Sequence, residues 1–254
     1  MTSPAEPSAL PRVTVPTVEG PAAVRVVRPR GDAPGSSPAG TLLLGHGAGG
    51  QRDAADVLAL TALADEGWTV VLVDQPWRVA GRRVASPPAT LDRAWADLTA
   101  LLATQAWQEE HGLPLPGPWV HGGRSAGARV ACRAAVDEQG HPAAGVAGVL
   151  CLAFPLHPPG RPERSRAGEL AGPLAAGLPT LVVQGARDPM GTPEELLAAV
   201  PQVQPSLRTV PGNHSPSRDL AAVVGHTARF LEGLATPHAS LGDAPDPDDR
   251  TPAP

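Results

Sequence analysis

What most constrains the fold of this chain is a rhythm in which short apolar runs alternate with segments of helical period. Thr41-Leu42-Leu43-Leu44 runs into Gly45, and Trp68–Val73, Pro118–His121, Gly148–Phe154, Thr180–Val183 and Ser206–Val210 follow the same plan. Short runs without polar alternation suit strands buried on both faces. Between them, Val57, Leu60, Leu63 and Ala64 recur at helical spacing over Asp53–Glu66, with Asp53 placed to cap the helix. Leu91, Trp95, Leu98, Leu101 and Leu102 mark one longer helix reaching about Glu110. Ser125–Glu138, Ala167–Ala176, Pro193–Val200 and Asp219–Leu234 read as further helices. Ahead of the first buried run, Arg12–Val18 and Ala22–Arg28 alternate as two strands parted by Gly20-Pro21. This pattern predicts an α/β fold, a mostly parallel central sheet with helices on both faces and right-handed crossovers. In such sheets ligands bind beyond the carboxyl ends of the strands. Chemistry is therefore expected in the loops after Leu44, Val73, His121, Phe154, Val183 and Val210.

Composition sets the limits of that domain. Of 32 prolines, eight fall in residues 1–40 and five in 237–254. The expected organisation is a mobile segment over 1–11, one domain over 12–235, and a disordered Pro/Asp-rich tail over 236–254. The net charge is −5; the tail's four Asp and one Arg contribute −3, leaving −2 for the rest. No basic face predicts a nucleic-acid partner, and no apolar run approaches the ~20 residues that span a bilayer. The N-terminus lacks the basic and apolar regions of a leader, so a cytoplasmic protein is expected. Cys132 and Cys151 make neither a disulfide framework nor a zinc site and read as small buried residues.

Three strand-end loops carry a serine, an acid and a histidine. Gly123-Arg124-Ser125-Ala126-Gly127 is a G-x-S-x-G sequence between a strand and a helix, the context in which a serine is held exposed on a tight turn. Asp188 follows the strand ending at Val183, and His214 follows the one ending at Val210. In the order Ser125, Asp188, His214, each fits one role: nucleophile, orienting acid and base. The oxyanion of the tetrahedral intermediate would be met by the backbone N–H of Ala126 and by one from the glycine loop after Leu44, at Gly47 or Ala48. Candidate substrate contacts are His46, Trp77, Arg124 and His157, and His121 reads as a core residue behind the elbow. Arg78, Arg82, Arg83 and Arg124 either collect at the pocket mouth and attract an acidic substrate or form a solvated face paired with Asp92 and Asp97, the second being the expectation. The partner is then a small-molecule ester or thioester, with no metal and no organic cofactor required.

Two rival readings stand beside this one. Gly45-His46-Gly47-Ala48-Gly49-Gly50 also spells G-x-G-x-x-G, with Asp74 ending the next strand, the pattern of a dinucleotide-binding oxidoreductase. Two strands precede it, however, whereas that fingerprint usually opens its fold. The other rival is a non-catalytic binding module of the same architecture, for which an intact Ser/Asp/His set has no use.

The glycine loop, Gly81-Arg82-Arg83, the run Gly122–Arg129, Pro155-Leu156-His157-Pro158-Pro159-Gly160, Gln184-Gly185-x-x-Asp188-Pro189 and Gly212-x-His214-Ser215 together resemble one branch of the α/β-hydrolases. It is the branch of the testis-expressed and non-specific-lethal-complex subunit 3 proteins, distantly related to dienelactone hydrolases. The resemblance covers about Thr41 to Ser215, with Ala126 and Asn213 departing from that branch's commoner residues. It implies an α/β-hydrolase fold and a nucleophilic serine. Only about 25 residues separate Phe154 from Thr180, so no large lid domain is expected and the pocket should be open.

Overall fold

A computed structural model describes residues 10–29, 38–49 and 53–235. Nearly all of the segment 1–11, most of the loop after β2 (30–37), Gly50 of the glycine loop and the tail 236–254 lie outside the described residues. The chain lays down β1 (Val13–Val15), β2 (Ala22–Val27), β3 (Gly40–Gly45), α1 (Ala55–Ala59), β4 (Trp68–Asp74), α2 (Pro76–Val79), α3 (Pro88–Leu102) and α4 (Gln105–His111). It continues with β5 (Trp119–Arg124), α5 (Ala126–Ala134), β6 (Val146–Leu152), α6 (Ala167–Ala175), β7 (Thr180–Gly185), α7 (Pro193–Ala199), β8 (Leu207–Val210) and α8 (Leu220–Ala235). The eight strands form one sheet in the order β1-β2-β4-β3-β5-β6-β7-β8. β1/β2 and β2/β4 pair antiparallel, and every later pair is parallel.

The sheet is covered on both faces, as the unalternating strands require. Leu42 and Leu44 of β3 join Val70 and Leu72 of β4 in a core with Leu60, Leu63, Val223 and Leu231. Leu43, Val71 and Val73, pointing the other way, pack with Trp95, Leu98 and Val130. Each fully buried leucine contributes on the order of 1.5–3 kcal/mol relative to exposure. That is why a strand this apolar is stable only with helices on both sides.

Two helices differ from their expected form. Asp53–Glu66 is not one helix but α1 followed by a 3-10 segment, Leu60–Glu66, that ends at left-handed Gly67. Asp53 does not cap it. Its carboxylate is taken by Arg25 Nη2 at 2.5 Å, and Ala54 stands at the N-cap. The long helix to Glu110 is two helices broken at Ala103-Thr104, because Thr104 Oγ1 accepts the Trp107 N–H and starts α4 afresh. Between β6 and β7 the only helix is α6, so among the described residues this connection holds no lid domain.

Candidate active site

Ser125 sits between β5 and α5 with φ 53° and ψ −109°. A non-glycine residue at positive φ costs on the order of 1–3 kcal/mol and persists only when its surroundings hold it. Here its N–H donates to Leu152 O at 2.9 Å and its carbonyl accepts from Arg129 N–H at 3.1 Å. The flanking glycines answer to close packing. A Cβ on Gly123 would lie 2.5 Å from Gly45 O and 2.7 Å from Gly127 C, and one on Gly127 would overlap the Gly45 carbonyl. Three backbones therefore touch at this point, those of β3, β5 and α5. That contact also accounts for Gly45, the first glycine of the G-x-G-x-x-G pattern, without a dinucleotide.

The three sequence-selected residues meet in one line. His214 Nε2 is 2.8 Å from Ser125 Oγ, and His214 Nδ1 is 2.8 Å from Asp188 Oδ2 and 3.1 Å from Oδ1. The Asp188 carboxylate can only accept, so Nδ1–H donates to it, leaving the Nε2 lone pair for the Ser125 hydroxyl. Asp188 is fully buried. It is held by the Met190 N–H at 2.8 Å and by the Gln184 amide at 2.9 Å. Gln184, itself fully buried, shares its two amide hydrogens among Asp188 Oδ2, Gly191 O and Phe154 O and accepts from Phe154 N–H. Sequence reasoning missed this role for Gln184; the one signal was a lone amide in an otherwise apolar strand. The loops carrying Asp188 and His214 meet because Gly185 has no side chain, a Cβ there overlapping Asn213 O.

The glycine loop lies against Ser125. A Cβ built on Gly47 would be 3.6 Å from Ser125 Cβ, and Ala48 is exposed beside it. On the other side, Ala126 opens α5, so its N–H has no partner within the helix and lies at the positive end of its dipole. Together these amides can stabilise an anion next to Ser125. His46 is buried, and both of its nitrogens are engaged: Nε2 accepts from Gln75 N–H at 3.2 Å, so Nδ1–H donates to Gly47 O at 2.9 Å. This histidine fixes the turn carrying Gly47 to the segment after β4. Trp77 is 2% exposed, edge-on to His46 at 5.2 Å, within the core that includes Val15, Ala22 and Leu91.

Arg124, at the x position of the G-x-S-x-G sequence, is held by its own partners. Its Nε donates to Asp56 Oδ2 at 3.0 Å and its Nη2 to His214 O at 2.7 Å, while Nη1 lies 3.1 Å from where a Gly47 Cβ would be. The side chain joins α1, the base loop and the glycine loop. His157 is nearly buried, with Nδ1 3.0 Å from Pro158 O and Nε2 3.6 Å from Glu195 Oε1, and its N–H donates to Met190 O. It thereby links the Pro-rich loop to the acid loop.

The other residues with chemical potential lie elsewhere. Asp74, buried, is 3.9 Å from Arg12 Nε. His121 accepts from Trp95 Nε1–H at 3.4 Å, and burial lowers its pKa to about 4. Cys132 and Cys151 are free and buried with Sγ atoms 3.4 Å apart; the hydrogen bond with Cys151, then burial, push the Cys132 thiol up. A cavity of about 1030 Å³ between α3, α5 and the starts of β5 and β6 includes His121 and Arg133 but none of Ser125, Asp188 or His214. Among the described residues no group of three metal-ligating side chains occurs, and no helix is long and apolar enough to cross a membrane.

The family model of an alpha/beta hydrolase domain matches residues 38–221. Among solved structures, an alpha-beta serine hydrolase homologue from Coxiella burnetii is 19% identical with a TM-score of 0.60, covering 88% of this chain and 97% of its own. A serine hydrolase without a lid from Xanthomonas campestris is 20% identical with a TM-score of 0.61, covering 91% and 97%. A dienelactone hydrolase from Anabaena variabilis is 18% identical with a TM-score of 0.62, covering 88% and 97%. At these identities the likeness is one of fold. No curated protein sequence matches the chain.

Proposed function

Because the chain belongs to the alpha/beta hydrolase domain family, we propose that it is a serine hydrolase cleaving an ester or thioester through an acyl-serine intermediate. The observation that carries this reading is the hydrogen-bonded line from Ser125 Oγ through His214 to the buried carboxylate of Asp188. In it, His214 Nε2 takes the Ser125 proton as Oγ attacks the carbonyl carbon. Asp188 keeps the imidazole in the tautomer that can accept that proton and stabilises the imidazolium once formed. The Ala126 N–H, with one from the Gly47-Ala48 turn, receives the oxyanion. His214 then returns the proton to the leaving alcohol or thiol, and a water activated in the same way hydrolyses the acyl-serine. No step calls for a metal or an organic cofactor.

The short connection over Phe154–Thr180 supports a small or exposed acyl group, and the Pro155–Gly160 loop supports placement in the testis-expressed and non-specific-lethal-complex subunit 3-like branch. The setting proposed for this chemistry is the cytoplasm. Labelling by a fluorophosphonate tests the reading, since only an activated serine reacts. The wild-type protein should label and hydrolyse short acyl esters. Ser125→Ala should lose labelling and about 10⁶-fold in turnover while keeping its circular dichroism spectrum. An unlabelled wild type, or a Ser125→Ala protein within tenfold of it, would leave the binding-module reading in its place.

A further inference from the structure

The segments on either side of the nucleophile carry arginines without acidic partners. Arg78, Arg82 and Arg83 follow β4; Arg161, Arg164 and Arg166 follow β6. In the order β4-β3-β5-β6, the strand delivering Ser125 runs between the two groups. Among the described residues, none of the six takes part in an ion pair. The expected partners are engaged elsewhere: Asp92 is bonded twice by Arg133, and Asp97 accepts the Val18 N–H. Arg25, Arg93 and Arg129 are neutralised, by Asp53, Glu19 and Glu169, whereas among the described residues Arg208 and Arg229, away from these segments, bond only to backbone carbonyls and to His226.

Arg78 is tied to the site itself. Its Nη2 donates to Gly49 O at 2.5 Å, on the turn bearing Gly47 and Ala48, and its guanidinium lies 4.3 Å over the Trp77 ring. Its Nε is buried with no hydrogen-bond partner. The other end of the sheet is acidic. Asp65 and Glu66 precede β4, Glu109 and Glu110 close α4, and Asp137 and Glu138 follow α5, all exposed. On the basic rim Asp53, Asp56 and Asp74 are each set against an arginine and Asp188 against His214, and the remaining carboxylates include Glu163, Glu194, Glu195 and Asp219, of which Glu195 and Asp219 already accept backbone N–H groups. A chain of net charge −5 thus presents its positive end around Ser125. Fields of this kind draw anions into a site and can raise association rates by about 10–10³.

We propose that this rim selects the substrate: the ester or thioester carries a negative charge, a carboxylate or phosphate, away from its scissile carbonyl. The inference rests on the serine-hydrolase reading for its chemistry but has a binding readout of its own. Two matched pairs locate the charge. The 4-nitrophenyl monoester of glutaric acid against 4-nitrophenyl valerate places it on the acyl part. S-acetyl-3-mercaptopropionate against S-propyl thioacetate places it on the leaving group. In one pair at least, kcat/KM for the anion should exceed that for the neutral partner by about tenfold in 20 mM salt. The preference should shrink several-fold in 0.5 M salt, where the Debye length falls to about 4 Å. Replacing Arg82, Arg83, Arg161 and Arg164, all exposed, with glutamine should bring the ratio towards one.

Calorimetry on Ser125→Ala with monomethyl glutarate and with methyl valerate reads the same preference without turnover. A Ser125→Ala protein that favours the anion in low salt, paired with an inert wild type, would sustain the rim and remove the hydrolase reading. Equal treatment of anion and neutral partner in both pairs and in the binding arm, or a preference untouched by salt and by the glutamine substitutions, overturns the proposal.

Discussion

Arg124→Met separates a structural role for the elbow arginine from a role in substrate contact. The methionine keeps the aliphatic stem and removes every donor. Asp56, whose side chain is fully buried, then loses the guanidinium at 3.0 Å and keeps only the Val57 N–H. With Arg124 itself 14% exposed, solvent screens the pair little. Stranding one member of a buried pair costs about 3–5 kcal/mol. Loss of the bond to His214 O, where water can substitute because the base is partly exposed, adds about 1 kcal/mol. A total of about 5 kcal/mol is a large share of the ~5–15 kcal/mol that stabilises a domain. With a urea slope of about 2 kcal/mol per M, the midpoint should fall by about 2.5 M. Adding Asp56→Asn removes the stranded charge and should return about 2 kcal/mol, a coupling that a double-mutant cycle measures directly. A single mutant within about 1 kcal/mol of wild type, or a double mutant no more stable than Arg124→Met, would refute the buried-pair argument.

Two further outcomes follow from the same geometry. Asp188→Asn should keep the fold but favour the wrong imidazole tautomer, lowering turnover by about 10³–10⁴, while Asp74→Asn, 3.9 Å from Arg12 and off the line to His214, should cost less than about tenfold; both are read on one ester at pH 7–8. His121 binds its proton more weakly folded, near 4, than unfolded, near 6.5, so the unfolded state takes up the extra proton and stability falls as pH drops from 6.5 towards 4; urea titrations should show about 2 kcal/mol less stability at pH 5 than at pH 7, and His121→Asn should flatten that slope.

Much of this protein is written locally. The β/α alternation, the elbow sequence and the order Ser125, Asp188, His214 are legible because strand burial, tight turns and strand-end loops leave marks within a few residues. Helix ends were less legible: Asp53 is a good cap by type, yet Arg25, distant in sequence, holds its carboxylate and the helix starts without it. Likewise Thr104 divides what apolar spacing alone joins, since periodicity does not register a hydroxyl that accepts the Trp107 N–H.

Only the tertiary structure decided who meets whom across the sheet. Arg124 looks like a substrate contact from its place in the motif, and its partners Asp56 and His214 lie 68 and 90 residues away in sequence. Gln184 gains its role because β7 lies beside β6, bringing Phe154 and Asp188 to one amide. Among the described residues Arg78, Arg82 and Arg83 have no acidic partner, and Asp92 is held by Arg133 of α5. The sequence by itself determined the β/α order and the residue types at the strand ends, since burial and turn chemistry act over a few neighbouring residues. Which charges are paired and which are not was decided only by the fold, because a Coulomb interaction depends on distance in space and not on distance along the chain.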